Sequence, residues 1–227
     1  MFTRILTTAL IAGAGAGLCA AILQLFFLQP VLLHAELYES GTLVHFGGPA
    51  ADASPPPFSL DLMRDGLSIL FSMLIYSGYA LILVAMMSLA EEQGALIDAR
   101  RGLLWGIAGF CAVQLAPAFS LAPEVPGAAS ADVTARQIWW FATVIAAAFA
   151  LWLIAFGRSW LLWAGAVVLL LAPHLVGAPT PDSFAGPVPT ELGALFASRA
   201  LGLGLVAWVL TGFFAGALWA SDPEASA

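Results

Sequence analysis

The 227-residue chain is 61% hydrophobic and only 9% charged, where an ordinary soluble domain carries roughly a quarter charged residues, so its surface cannot be one that faces water throughout. A net charge of −7, with seven arginines and no lysine, lacks the basic footprint that nucleic acid requires and excludes it as a partner. Cys19 and Cys111 lie far apart in apolar stretches, which excludes a disulfide framework or a CxxC metal motif.

The first element is an uncharged run over residues 5–28, about 36 Å as a helix at ~1.5 Å per residue. That is too long for a signal h-region of roughly 7–15 residues, and it reads as a first spanning helix. A bilayer crossing takes about 20 apolar residues. On that measure further spans are expected over residues 67–89, 103–121, 139–156, 160–176 and 195–219. Only Gly157-Arg158-Ser159 separates the fourth and fifth, which predicts a tight helical hairpin. The expected fold is therefore an all-α integral membrane protein, a single polytopic bundle of about six transmembrane helices, with five as the fallback and no soluble domain. Glycine pairs at GxxxG spacing, Gly13 with Gly17, Gly102 with Gly106 and Gly212 with Gly216, let helix backbones approach closely. They leave a homo-oligomer open as an alternative.

The longest connection, residues 29–66, holds Gly47-Gly48-Pro49 and Pro55-Pro56-Pro57. Triple proline favours extended geometry, so this stretch is expected to form an ordered but irregular external cap or hairpin. Placing both termini in the cytoplasm assigns Arg4, Arg100, Arg101 and Arg158 to the inner side, the better fit to the positive-inside rule. The outer side then carries nine of the acids and all three histidines, His34, His45 and His174.

Three outward-running spans end in proline followed by metal-competent side chains. The first runs Gln29-Pro30 through His34-Ala35-Glu36-Leu37-Tyr38-Glu39; the third and fifth share the pattern L-A-P-[EH]-[VL]-x-G at Leu121 to Gly127 and Leu171 to Gly177. Proline frees a carbonyl and glycine lets the chain turn, and such breaks normally face protein or a water-filled vestibule. The plain alternative is that these residues only terminate helices at the interface. Imidazole and carboxylate suit a divalent first-row metal without choosing which one. The expected donors are Glu36, Glu39, Glu124, His174 and His34, with Tyr38, Asp132, Arg136, Gln137 and Arg199 as gating or supporting residues. Arg199, inside the last span, is expected to snorkel or to pair with Glu191, Asp182 or another carboxylate.

No HExxH, GxSxG, Walker loop or Rossmann fingerprint occurs, so an enzyme is not expected, and neither is a tightly bound cofactor. Several stretches resemble the CbtA family, the probable cobalt transporter subunits of bacteria: Met1-Phe2-Thr3-Arg4-Ile5-Leu6, Pro30…Ala35-Glu36-Leu37-Tyr38-Glu39, Pro123-Glu124-Val125-Pro126-Gly127, Ala131-Asp132…Arg136-Gln137-x-Trp139-Trp140 and Ala172-Pro173-His174-Leu175-Val176-Gly177-Ala178-Pro179. The resemblance implies a permease-like inner-membrane subunit linked to cobalamin biosynthesis, with Co2+ or a similar divalent ion as cargo. It also implies a small one-helix partner, CbtB, with a histidine-rich metal-binding end. That family is usually described with five spans, against the six counted here. The rival from another class is a non-conducting membrane scaffold for such a partner.

Overall fold

The computed structural model describes residues 1–45 and 59–221, and among these all regular structure is helical. In chain order come α1 (Phe2–Phe27), α2 (Gln29–Glu39), α3 (Leu62–Glu92), α4 (Ala99–Phe110), a π-helical turn (Cys111–Leu115), α5 (Ala116–Ala118), α6 (Val133–Phe156), α7 (Trp160–Val176) and α8 (Thr190–Ala220). Helix is the form in which an apolar segment satisfies its own backbone without water. Four of these helices, α1, α3, α6 and α8, are long and apolar enough to cross a membrane, and α7 is a shorter apolar helix of 17 residues. The expected span over 103–121 is met by α4, the π-turn and α5 in succession. This is an all-α membrane protein.

The chain divides into two compact units. The first comprises Met1–Phe26, Ser59–Phe110 and Gly202–Ala227. Its core is built of small residues and a few large ones: Ala9, Ala12, Ala80, Leu83, Val84, Met87, Ala215 and Trp219. The GxxxG pairs are consumed here. Gly102 and Gly106 of α4 lie directly against the backbone of Gly212, Trp208 and Val209 in α8, and a Cβ on Gly17 would come within 2.6 Å of the Met73 Cα in α3. Asp61 caps α3 by accepting from the Met63 and Arg64 amides, and Asp98 accepts from Arg101 N at 2.8 Å at the start of α4.

The second unit comprises Phe27–Phe58 and Cys111–Leu201. The α6–α7 hairpin closes as expected: Ser159 accepts from the Leu162 amide at 3.4 Å to start α7, after Gly157 has ended α6 in extended conformation. Trp139 Nε1 donates to the Pro173 carbonyl at 3.1 Å and ties the two helices at the other end of the hairpin. Val31, Ala35, Val125 and Phe196 form this unit's core.

Two expectations need correction. Residues 29–39, read as the start of an irregular cap, form α2, because Pro30 sits in the first turn of the helix, where its missing N–H is one the helix would leave unbonded anyway. Pro173, read as a helix break, lies inside α7, which continues to Val176. Its carbonyl accepts from the Gly177 amide at 3.1 Å and the turn therefore survives. The Pro55-Pro56-Pro57 and Gly47-Gly48-Pro49 stretches fall outside the described residues.

Candidate functional site

All five expected donors belong to the second unit. On α2 the spacing 31, 34, 35, 38 puts Val31, His34, Ala35 and Tyr38 on its buried face, as a helical period requires. The His34 and Tyr38 rings lie 5.5 Å apart. His34 is only 9% exposed, and its Nε2 is buried with no hydrogen-bond partner among the described residues. Glu36 and Glu39 are exposed. The aliphatic stem of Glu39 covers Gly127, whose missing Cβ would stand 3.2 Å from it.

Glu124 and His174 are each held by a specific partner. Glu124 Oε2 pairs with Arg136 Nη2 at 2.8 Å. His174 Nδ1 and Ser120 Oγ share a hydrogen bond of 2.8 Å, and the imidazole sits edge-on to Phe119 at 5.1 Å and Trp139 at 5.9 Å. The Leu121 to Gly127 and Leu171 to Gly177 stretches, alike in sequence, are thus unlike in structure: one is irregular chain, the other is mostly helix.

The remaining residues have structural partners. Asp132 caps α6 by accepting from the Ala135 amide at 2.9 Å, which sets Arg136 in the first turn of that helix. Gln137 is exposed. Among the described residues Arg199 pairs with no carboxylate; it donates from Nη1 to the Phe27 carbonyl at 2.8 Å. The last carbonyls of a helix carry its negative dipole end, so the close of α1 supplies what a counter-ion was expected to supply. His45 is exposed.

Among the described residues no three His, Cys, Asp or Glu side chains gather into a metal-holding set. Three of the donors, Glu39, Glu124 and His174, touch or lie on one segment, residues 119–132. Ser120 reaches α7 through His174; Glu124 reaches α6 through Arg136; Val125 joins the core with Val31 and Ala35 of α2 and Phe196 of α8. Gly127 turns the segment at φ 76°, a left-handed conformation suited to glycine, and the Ala129 amide donates to the Ala185 carbonyl at 3.2 Å. Nothing local in the sequence points to Ser120. Opposite charges flanking a short connection were the available sign of the Glu124–Arg136 pair.

Four helices long and apolar enough to cross a membrane, with a fifth, shorter apolar helix beside α6, define a polytopic all-α membrane protein. The chain belongs to the CbtA family: the family model described as "Probable cobalt transporter subunit (CbtA)" matches residues 2–220, nearly its whole length. No curated relative and no solved structure matches the chain.

Proposed function

We propose that this protein is the inner-membrane subunit through which cobalt, or a similar divalent ion, is taken up for cobalamin biosynthesis. What supports the reading is the family match over residues 2–220; of the donors, His174 reaches the segment 119–132 through Ser120, Glu39 through Gly127 and Glu124 lies on it, while His34 lies on α2. Each donor replaces a water that the ion sheds, so several must converge as it enters. Glu36, exposed on α2 beside them, serves as the outermost collector. The buried Nε2 of His34, without a hydrogen-bond partner among the described residues, offers a lone pair to an ion in the tautomer that protonates Nδ1, and an unsatisfied polar atom is otherwise unfavourable there. A small one-helix subunit bearing histidines completes the ligand set, and both termini lie in the cytoplasm in keeping with Arg4, Arg100, Arg101 and Arg158.

Uptake of radiolabelled cobalt by cells carrying Glu36→Ala or His174→Ala tests this directly. Loss of uptake in both supports the reading; wild-type rates in both would remove the site. A second reading, a scaffold that holds the small partner without conducting, draws on α7, of which only Ala166 is buried while Trp160, Val168 and Leu175 are 71%, 65% and 84% exposed. The scaffold predicts that liposomes containing both subunits move no cobalt.

A further inference from the structure

The first unit holds a polar cavity of its own. About 320 Å3 in volume, it is lined by Met1, Arg4, Ser88, Glu91, Glu92 and Trp219, at the low end of the ~300–1,000 Å3 usual for small-ligand sites. Ser88, Glu91 and Glu92 stand at i, i+3 and i+4 and so share one face of the last turns of α3. The carbonyl end of the helix adds negative charge there, so two carboxylates at that end do nothing for the helix and favour a cation beside them. Arg4 answers one of them, its Nη1 4.0 Å from Glu91 Oε2. Glu92 is exposed and leaves one negative charge over. Ser88 is 2% exposed, and its hydroxyl has no hydrogen-bond partner among the described residues. A buried hydroxyl left unsatisfied is costly, and at the wall of a cavity the missing partner can come from outside the chain.

We infer that this cavity binds the primary ammonium of an ethanolamine phospholipid. An ammonium has three N–H donors and no acceptor, and the cavity offers three acceptors in the Glu91 and Glu92 carboxylates and the Ser88 hydroxyl. Arg4, which also lines it, matches the phosphate at the other end of the same headgroup. The helices point to a lipid as the source. α1, α3 and α8 are all of membrane-crossing length, and the cavity joins the first turn of α1 to the last turns of the other two, the level at which headgroups lie. Choline fits poorly, because its quaternary nitrogen has no N–H and relies on open aromatic faces, whereas the Trp219 ring lies under Arg4 and is 2% exposed. A metal ion fits no better, since no three His, Cys, Asp or Glu side chains gather among the described residues.

The test titrates the purified full-length protein with lipid and counts bound molecules by native mass spectrometry, comparing phosphatidylethanolamine with phosphatidylcholine of the same acyl chains. Wild type should prefer phosphatidylethanolamine by about five- to tenfold. Glu92→Gln should cut that preference about two- to fivefold, the range of a solvent-exposed charge pair, and Ser88→Ala about two- to tenfold for one hydrogen bond. Phosphatidylcholine binding should change in neither. Glu92 is exposed, so Glu92→Gln decides the matter even if Ser88→Ala does not fold. Equal binding of the two lipids by wild type, or an undiminished preference in Glu92→Gln, overturns the assignment. So does displacement of the lipid by free phosphoethanolamine at matching concentration, which would make the ligand a soluble one. Tighter binding of a lysine-bearing peptide than of either lipid overturns it too, and would make the cavity a docking point for another protein.

Discussion

Arg4 lies over the indole of Trp219, its guanidinium carbon 3.8 Å from the ring centroid, and donates from Nη2 to the Trp219 backbone carbonyl at 2.6 Å. The first turn of α1 and the last of α8 are thereby joined within one unit. Trp219 Nε1 in turn donates to both oxygens of Glu91 at 3.1 Å, near the end of α3, and Arg4 Nη1 stands 4.0 Å from the same carboxylate. One indole therefore bonds three helix ends.

Trp219 is 2% exposed, so removing it forfeits packing as well as polar contacts. Trp219→Ala should destabilise the detergent-solubilised protein by about 3–5 kcal/mol. Trp219→Phe, which keeps a ring under Arg4 but loses the Nε1 donor, should cost about 1–2 kcal/mol. Equal losses in the two, read from denaturation midpoints, would mean that the polar contacts and not the packing carry the joint.

The glycines divide sharply by what faces them. A Cβ at Gly212 would meet the carbonyl of Gly102 and the backbone of Gly106, while a Cβ at Gly78 meets nothing within 4 Å. Gly212→Ala should therefore force α4 from α8 and lower stability by several kcal/mol, beyond the ~1–3 kcal/mol usual for overpacking, because backbone and not a movable side chain stands in the way. Gly78→Ala, inside α3, should be neutral or stabilise by up to about 1 kcal/mol, the usual gain of alanine over glycine in a helix. A fluorescence-detected melting series reads both, and a destabilised Gly78→Ala would contradict the open space found there.

How far the sequence disclosed this architecture varies with the physical cause. Uninterrupted apolar length announced α1, α3, α6 and α8, since hydrocarbon demands it, and GxxxG spacing announced close backbone approach without saying that α4 would meet α8. Proline misled in both directions. Pro30 and Pro173 looked alike as breakers, yet one sits in a first turn and the other in a last turn, and only the bonds made by neighbouring amides and Trp139 decide that the chain stays helical. The face of α2 that buries His34 was legible from its period once the helix was known. The partner of Ser120 was not, because that bond joins residues 54 apart in the chain and nothing local foretells it.

Arg199 tests whether a helix end can stand in for a counter-ion. Its bond to the Phe27 carbonyl is charge-assisted, worth roughly 1.5–3 kcal/mol when shielded and less where water reaches it. Arg199→Met should lower stability by about 1–2 kcal/mol on that basis, and Arg199→Lys should recover part of the loss with a single donor head. Loss of cobalt uptake with full stability would instead place Arg199 on the path of the ion.

His174 offers the sharpest separation of structural from functional roles. Its ring packs between Phe119 and Trp139 while Nδ1 bonds Ser120. His174→Phe keeps an aromatic ring between those neighbours and loses both nitrogens; Ser120→Ala removes the partner and leaves the imidazole free. A purely structural histidine predicts the same outcome for both, a loss of about 1 kcal/mol for one hydrogen bond and unaltered uptake. A histidine that receives the ion predicts divergence, with uptake abolished in His174→Phe and retained in Ser120→Ala, because the freed Nδ1 can still donate its lone pair. The second pattern is expected here, and matched uptake rates in the two variants would return His174 to the role of a packing residue.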